Sequence, residues 1–166
     1  MRFTGTIEAK LDAKGRVFFP SDFRRQLAEA DARLVLKRDV YQPCLVVYPY
    51  AVWEGEVEQL RRTLNRWDPR QAMLFRQFMA DVEVFTLDAA GRFLVPRRLL
   101  QACAIDHAVR FIGVDDRVEL WSAEQPERAF LAPSIRPPPN RLYSMESRWP
   151  RPPCGNRKVR TATVRM

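Results

Sequence analysis

Apolar and polar residues alternate in two separate stretches of the chain. Ile7, Ala9 and Leu11 are interleaved with Glu8 and Lys10, the period-two pattern of a strand with one buried face. Val82, Val84 and Thr86 alternate with Glu83 and Phe85, which predicts a second strand of less clear polarity. Four further runs rich in β-branched and aromatic residues, Leu34–Lys37, Cys44–Tyr48, Val109–Ile112 and Arg117–Trp121, read as strands. The pair Asp115-Asp116 predicts a hairpin turn before the last of them. Helical periodicity is confined to the middle. Trp53, Val57, Leu60 and Leu64 fall at i, i+4, i+7 and i+11 with charged residues on the opposite side, and Met73, Leu74, Gln77 and Phe78 resume the pattern after Pro69. Two helices joined at Trp67-Asp68-Pro69 are expected, their apolar stripe packing on the core. A further short helix is expected over Glu124–Leu131.

These elements repeat. Leu11-Asp12-Ala13-Lys14-Gly15-Arg16-Val17-Phe18-Phe19-Pro20 returns 76 residues later as Leu87-Asp88-Ala89-Ala90-Gly91-Arg92-Phe93-Leu94-Val95-Pro96, with six of the ten positions identical. Each copy follows a predicted strand and precedes a short helical stretch. In the first stretch Ser21 is the expected N-cap, Asp22 lies in the first turn, and Phe23 and Leu27 share a face. The second offers Leu99, Leu100 and Cys103 instead. Two strands then close each half, so the order β-turn-β-α-β-β occurs twice.

Charge changes this picture in one respect. The 166 residues carry a formal net charge of +8. Residues 1–133 hold 20 basic and 19 acidic side chains, whereas residues 134–166 hold eight basic ones and a single acid, Glu146. The last segment also has six prolines and no sustained apolar periodicity, the composition of a disordered tail. It suits either a tail that adds nonspecific affinity for nucleic acid or an out-of-frame reading of a GC-rich gene. The overall basicity therefore says little about the body, and any nucleic-acid argument must rest on where individual arginines stand.

The repeated turn supplies such arginines. A tight turn between strands needs a residue with positive φ, which Gly15 and Gly91 provide without steric cost. Asp12 and Asp88 can accept hydrogen bonds from the turn amides or pair with Arg16 and Arg92 four residues on. Each arginine opens the next strand and presents its guanidinium from a rigid base. A fork of donors held in that way suits phosphate oxygens or the O6 and N7 edge of guanine. Lys14 adds a point charge in the first turn only. Turn chemistry alone leaves two readings open: a structural ion pair that pins a hairpin, and a contact with a ligand or nucleic acid. The pairs Arg24-Arg25 and Arg97-Arg98 occupy comparable places in the short helical stretches, on a solvated surface or near a nucleic-acid face.

Several residues together resemble the MraZ family, within the AbrB-like, swapped-hairpin superfamily. In the first half these are Phe3-Thr4-Gly5, Asp12 to Arg16, Tyr41-Gln42-Pro43-Cys44-Leu45 and Tyr48-Pro49 with Trp53; in the second, Leu87 to Arg92 and Val118-Glu119-Leu120-Trp121. The likeness spans about residues 1–131. It implies an α+β, mainly β fold: a duplicated AbrB-like swapped-hairpin barrel with peripheral helices. Residues 1–52 would form the first repeat, 53–80 the connecting helices, 81–131 the second repeat and 132–166 the Pro/Arg-rich tail. It further implies a homo-oligomer, a ring, that binds double-stranded DNA at direct repeats in the promoter of the division and cell-wall gene cluster and represses it. Arg16 and Arg92 would be the principal contacts and Lys14 would assist. Asp12, Gly15, Asp88 and Gly91 would shape the loops. Ala90 replaces the lysine of the first copy, so the two halves are expected to contribute unequally. The tail departs from the short terminal helix expected of the family.

Other classes find little support. His107, the only histidine, lies in a predicted loop, and Ser21, Ser122 and Cys44 have no other histidine to activate them. There is no G-x-x-x-x-G-K-S/T loop and no dinucleotide fingerprint. No enzyme activity, cofactor or metal is expected. Cys44, Cys103 and Cys154 cannot all pair and form no C-x-x-C, so neither a disulfide scaffold nor a zinc site is expected, and Cys44 and Cys103 read as small buried apolar residues. Apolar runs fall far short of the ~20 residues of a membrane helix, and the start lacks a secretory signal. A cytoplasmic, nucleoid-associated protein is expected. The alternative with the same fold is an oligomeric adaptor or antitoxin-like module that binds a protein partner through its helices.

Overall fold

The strands of the two halves are interleaved rather than stacked side by side. A computed structural model describes residues 2–27, 32–125 and 129; the expected tail and most of the helix expected over 124–131 lie outside the described residues. In the first half, β1 (Phe3–Lys10), β2 (Arg16–Phe18), α1 (Ser21–Arg24), β3 (Arg33–Arg38) and β4 (Leu45–Pro49) follow one another. After α2 (Tyr50–Thr63) and α3 (Pro69–Ala80) come β5 (Val82–Thr86), β6 (Arg92–Leu94), α4 (Arg97–Ala102), β7 (Ala108–Asp115) and β8 (Arg117–Ser122). The large sheet has the order β1-β7-β8-β4-β3-β5, and β2 pairs with β6 in a separate two-stranded ribbon. All the pairings are antiparallel. Exchanging each strand for its counterpart in the other half reads this order backwards, so the duplication becomes a pseudo-two-fold axis between β4 and β8. The first strand of each half pairs with the third strand of the other: β1 with β7, β5 with β3. The arrangement is α+β and mainly β, as expected.

Alternation along the strands divides the sheet residues between two faces. Leu34, Leu36, Leu45, Val47, Val109, Phe111, Val118 and Leu120 point to one side. There they meet Val17 and Phe93 of the ribbon, Phe23 of α1, and Leu99 and Leu100 of α4. Phe19 lies at the centre of this core, edge-on to Phe93 and Phe111 with centroids 6.1 and 5.9 Å away. The opposite face carries Val35, Val46, Tyr48 and Trp121, covered by Trp53 and Val57 of α2 with Phe75 and Phe78 of α3. Trp53 and Phe78 stack at 5.0 Å. Of the predicted apolar stripe, Trp53, Val57 and Phe78 pack on the core, whereas Leu74 is exposed and Phe75, outside the stripe, packs in its stead.

Several local features differ from expectation. Ser21 is the first helical residue of α1 rather than its cap; Pro20 holds the cap position in extended backbone (ψ 134°) and makes no side-chain capping bond. Asp68 does cap α3, its side chain accepting from the amide of Arg70, with Pro69 at the start of the helix where its missing N–H costs nothing. In β5, Val84 is exposed while Phe85 packs towards the main core. The 76-residue offset explains this, because Phe85 is the counterpart of Ala9 and Val84 that of Glu8. Lys37, which the alternation places only at the end of a strand, is buried. Its ammonium lies 3.6 Å from the centre of the Phe78 ring, and desolvation pulls its pKa below the usual lysine value.

Candidate nucleic-acid interface

Both repeated turns have the same internal wiring. In the first, Oδ1 of Asp12 accepts from the amides of Lys14 and Arg16, both at 2.9 Å. Oδ2 of Asp12 accepts from Nε of Arg16 at 2.7 Å. In the second, Oδ1 of Asp88 accepts from the amides of Ala90 (2.9 Å) and Arg92 (2.8 Å), and Oδ2 from Nε of Arg92 at 2.9 Å. The glycine amides donate to the Asp12 and Asp88 carbonyls at 2.9 and 2.8 Å. Gly15 and Gly91 take φ of 83° and 79°, left-handed backbone that strains a residue with a Cβ. The amide bonds hold both carboxyls below the usual aspartate range despite their exposure. Asp12 and Asp88 thus do two things at once: they close the loop and clamp one edge of the guanidinium.

That clamp does not consume the guanidinium. Only Nε of each arginine is bonded to its aspartate, and among the described residues no acceptor engages the η nitrogens of Arg16 or Arg92. The two readings left open by turn chemistry are therefore compatible. A structural pair and an outward-facing donor edge coexist in the same side chain.

The ribbon brings the two turns together. Arg16 stands opposite Leu94, Val17 opposite Phe93, and Phe18 opposite Arg92. Alternation sends Val17 and Phe93 into the core and puts Arg16, Phe18, Arg92 and Leu94 on the same outer face. The two arginine Cα atoms are diagonal neighbours about 8 Å apart, from two residues of rise and one interstrand spacing. Phe18 and Leu94 are 56% and 57% exposed, large apolar side chains beside the cations of the opposite turn. Sequence reading missed these two; the register that aligns them was not legible, although the repeat offset pairs Phe18 with Leu94.

Each turn is also locked by the other half. The amide of Phe19 donates to the carbonyl of Gly91 at 2.9 Å, and that of Val95 to the carbonyl of Gly15 at 3.0 Å. A Cβ on Gly15 would lie 3.2 Å from the Val95 carbonyl oxygen and 3.5 Å from Leu100 of α4; one on Gly91 would collide with the guanidinium of Arg24 from α1. Arg24 and Arg97 are consequently not equivalent, contrary to the expectation of comparable paired arginines. The offset aligns Arg24 with Leu100 and Arg98 with Asp22. Arg98 is held by Asp81 and Glu83, Arg25 by Asp22, and Arg97 lines the hollow beside the first turn with Leu11, Asp12 and Lys14.

The family described as "MraZ protein, putative antitoxin-like" matches residues 2–76 and 78–130. The chain belongs to the MraZ family. A protein of Phocaeicola vulgatus called transcriptional regulator MraZ is 54% identical over 134 residues, covering 80% of this chain and 87% of that one. One from Bacteroides fragilis with the same designation is 50% identical over 134 residues, 80% of this chain and 85% of its own. A third, from Lachnoclostridium phytofermentans, is 38% identical over 123 residues, 74% and 83% respectively. MraZ is a family of transcriptional regulators and not of enzymes, in line with the sequence reading. Here His107 is exposed, its amide rather than its ring bonded to Glu124. Cys44 and Cys103 are buried thiols whose pKa values desolvation pushes up, that of Cys103 to about 11. Among the described residues there is no cluster of three or more metal-ligating side chains, and no helix is long and apolar enough to cross a membrane.

Proposed function

We propose that this MraZ-family chain is a sequence-specific DNA-binding regulator that grips the duplex with the outer face of the β2–β6 ribbon. One observation carries the reading: Arg16 and Arg92 share a face and keep their η nitrogens unbonded while their aspartates fix their direction. Preorganised forks of this kind match phosphate oxygens or a guanine edge at little cost in side-chain entropy. Lys14 assists from the first turn, and Asp12, Gly15, Asp88 and Gly91 shape the loops. Residues 1–52 and 81–131 act as two intertwined repeats, and the helices of 53–80 connect them.

Residues 1–133, with 20 basic and 19 acidic side chains, neutralise few phosphates as a single copy. Affinity scales with the number of phosphates engaged, so several copies side by side, as in a ring, would sum their contacts along direct repeats. Repression of the division and cell-wall gene cluster, in the nucleoid, follows from the family resemblance. The competing reading is a protein-binding module. It draws on α3, which buries no residue fully and exposes Leu74 and Met79.

Titrating a labelled promoter fragment bearing tandem repeats with the parent, Arg16→Ala and Arg92→Ala at matched salt separates the two. The DNA reading expects either substitution to weaken binding about tenfold or more. Equal affinity in all three proteins overturns it.

A further inference from the structure

We infer that Arg24 is a DNA-phosphate contact of the second turn, supplied by the first half to replace the lysine that this turn lacks. This rests on the DNA reading above and adds a residue to it. The 76-residue offset sets Lys14 against Ala90, so the first turn has a cation at its tip that the second does not. The same offset sets Leu100 against Arg24. Each short helix lies on the turn of the opposite half. Leu100 of α4 packs against the Gly15 position at 3.5 Å, whereas Arg24 of α1 lays its guanidinium directly over Gly91, with Nη1 in the space that a Cβ would fill. The arginine that stands where the other helix has a leucine therefore faces the turn that has no lysine. Only a glycine lets the guanidinium approach so closely.

Arg24 is exposed, and among the described residues it has no ion-pair partner. Its neighbour Arg25 is paired with Asp22, and Arg98 with Asp81 and Glu83. A cation resting on the turn that presents Arg92 is set to meet the same or the adjacent phosphate. The two turns then become electrostatically matched by different means: Lys14 with Arg16, and Arg24 with Arg92.

The test uses the full chain and a duplex with tandem promoter repeats, comparing the parent, Arg92→Ala, Arg24→Ala, Arg24→Lys and the double variant Arg24→Ala/Ala90→Lys. For each, the dissociation constant is measured from about 50 to 200 mM salt, and thermal stability is recorded alongside. Arg24→Ala is expected to bind several-fold more weakly, with a slope of log K against log salt shallower by about 0.9 per engaged subunit. Arg24→Lys should keep the parent slope. Ala90→Lys should restore it in the Arg24→Ala background, which a purely structural role for Arg24 would not allow. An unchanged slope in Arg24→Ala, or a weakened variant that Ala90→Lys fails to rescue, overturns the inference. If Arg92→Ala also binds like the parent, the DNA reading of the turns fails with it; if Arg92→Ala alone is weakened, only the role of Arg24 fails.

Discussion

Arg92 faces Phe18 across the ribbon, its guanidinium carbon 5.7 Å from the ring centroid. A cation from one half and an aromatic ring from the other thus share a single surface, and on the other side of the pseudo-axis Arg16 and Leu94 repeat the juxtaposition. Apolar side chains exposed beside anchored arginines suit the edges of bases, where a thymine methyl can be met.

Phe18→Ala and Leu94→Ala should therefore reduce discrimination between the promoter repeats and unrelated duplex, by about 1–3 kcal/mol for each base edge that is no longer met. Neither side chain carries charge, so the salt dependence should stay at the parent value. Competition titrations with specific and random duplexes check this. An unchanged specificity ratio in both variants removes base recognition from these positions.

The two turn glycines should respond unequally to alanine. Both hold positive φ, which costs a residue with a Cβ about 1–2 kcal/mol. At Gly15 the added methyl also presses on the backbone oxygen of Val95, at 3.2 Å, which strand pairing keeps in place. At Gly91 it meets the guanidinium end of Arg24, which can swing aside. Thermal melts should show Gly15→Ala less stable than Gly91→Ala, whereas DNA affinity should fall further in Gly91→Ala because Arg24 is displaced.

Acid should loosen both turns. Asp12 and Asp88 have folded-state pKa values below their ordinary 3.8 because backbone amides stabilise the carboxylates. The unfolded chain therefore binds more protons in the window just below 3.8, and the stabilisation present above it is lost as pH falls through the lowered folded values. Between pH 5 and 8 these groups should leave the melting temperature unchanged. Below about pH 4 the parent should lose stability more steeply than Asp12→Asn/Asp88→Asn, which has no carboxylates there to protonate. Melts as a function of pH test this, and parallel acid limbs would contradict it.

The buried thiols should be inert in the native protein. Cys44 and Cys103 are both deprived of solvent, and the raised pKa of each leaves almost no thiolate at pH 8. In a Cys154→Ser variant, a thiol reagent should label neither until denaturant is added, then both. Rapid labelling of either without denaturant would refute the burial of Cys44 beside β4 or of Cys103 after α4.

Local chemistry was legible wherever a residue's role depends on its near neighbours. The Asp12–Arg16 and Asp88–Arg92 turns, the strand starts at Arg16 and Arg92, the Trp53 and Val57 stripe and the hairpin at Asp115-Asp116 all follow from residues a few positions apart. What depends on pairing across the chain was not. Nothing in the alternation of Ile7 and Ala9 says that β1 lies against β7 of the other half. The face shared by Arg16, Phe18, Arg92 and Leu94 exists only once β2 and β6 are in register. Val84 and Phe85 are hard to orient from sequence because β5 offers apolar side chains to both sides of the sheet, Phe85 to the main core and Val82 towards the helices. Arg24 and Arg97 look equivalent when the two short helices are compared by arginine content; the repeat offset, which follows the backbone, aligns Arg24 with Leu100 instead.

The most direct trial of the account is the salt dependence of binding to tandem-repeat promoter DNA, measured for the parent, Arg16→Ala, Arg92→Ala and the double variant. If both guanidinium tips grip the duplex, each single variant lowers the slope by about 0.9 per engaged subunit, and the double variant lowers it by about twice as much. A double variant that keeps the parent's slope and affinity would contradict the account, because the shared ribbon face would then have no part in holding DNA.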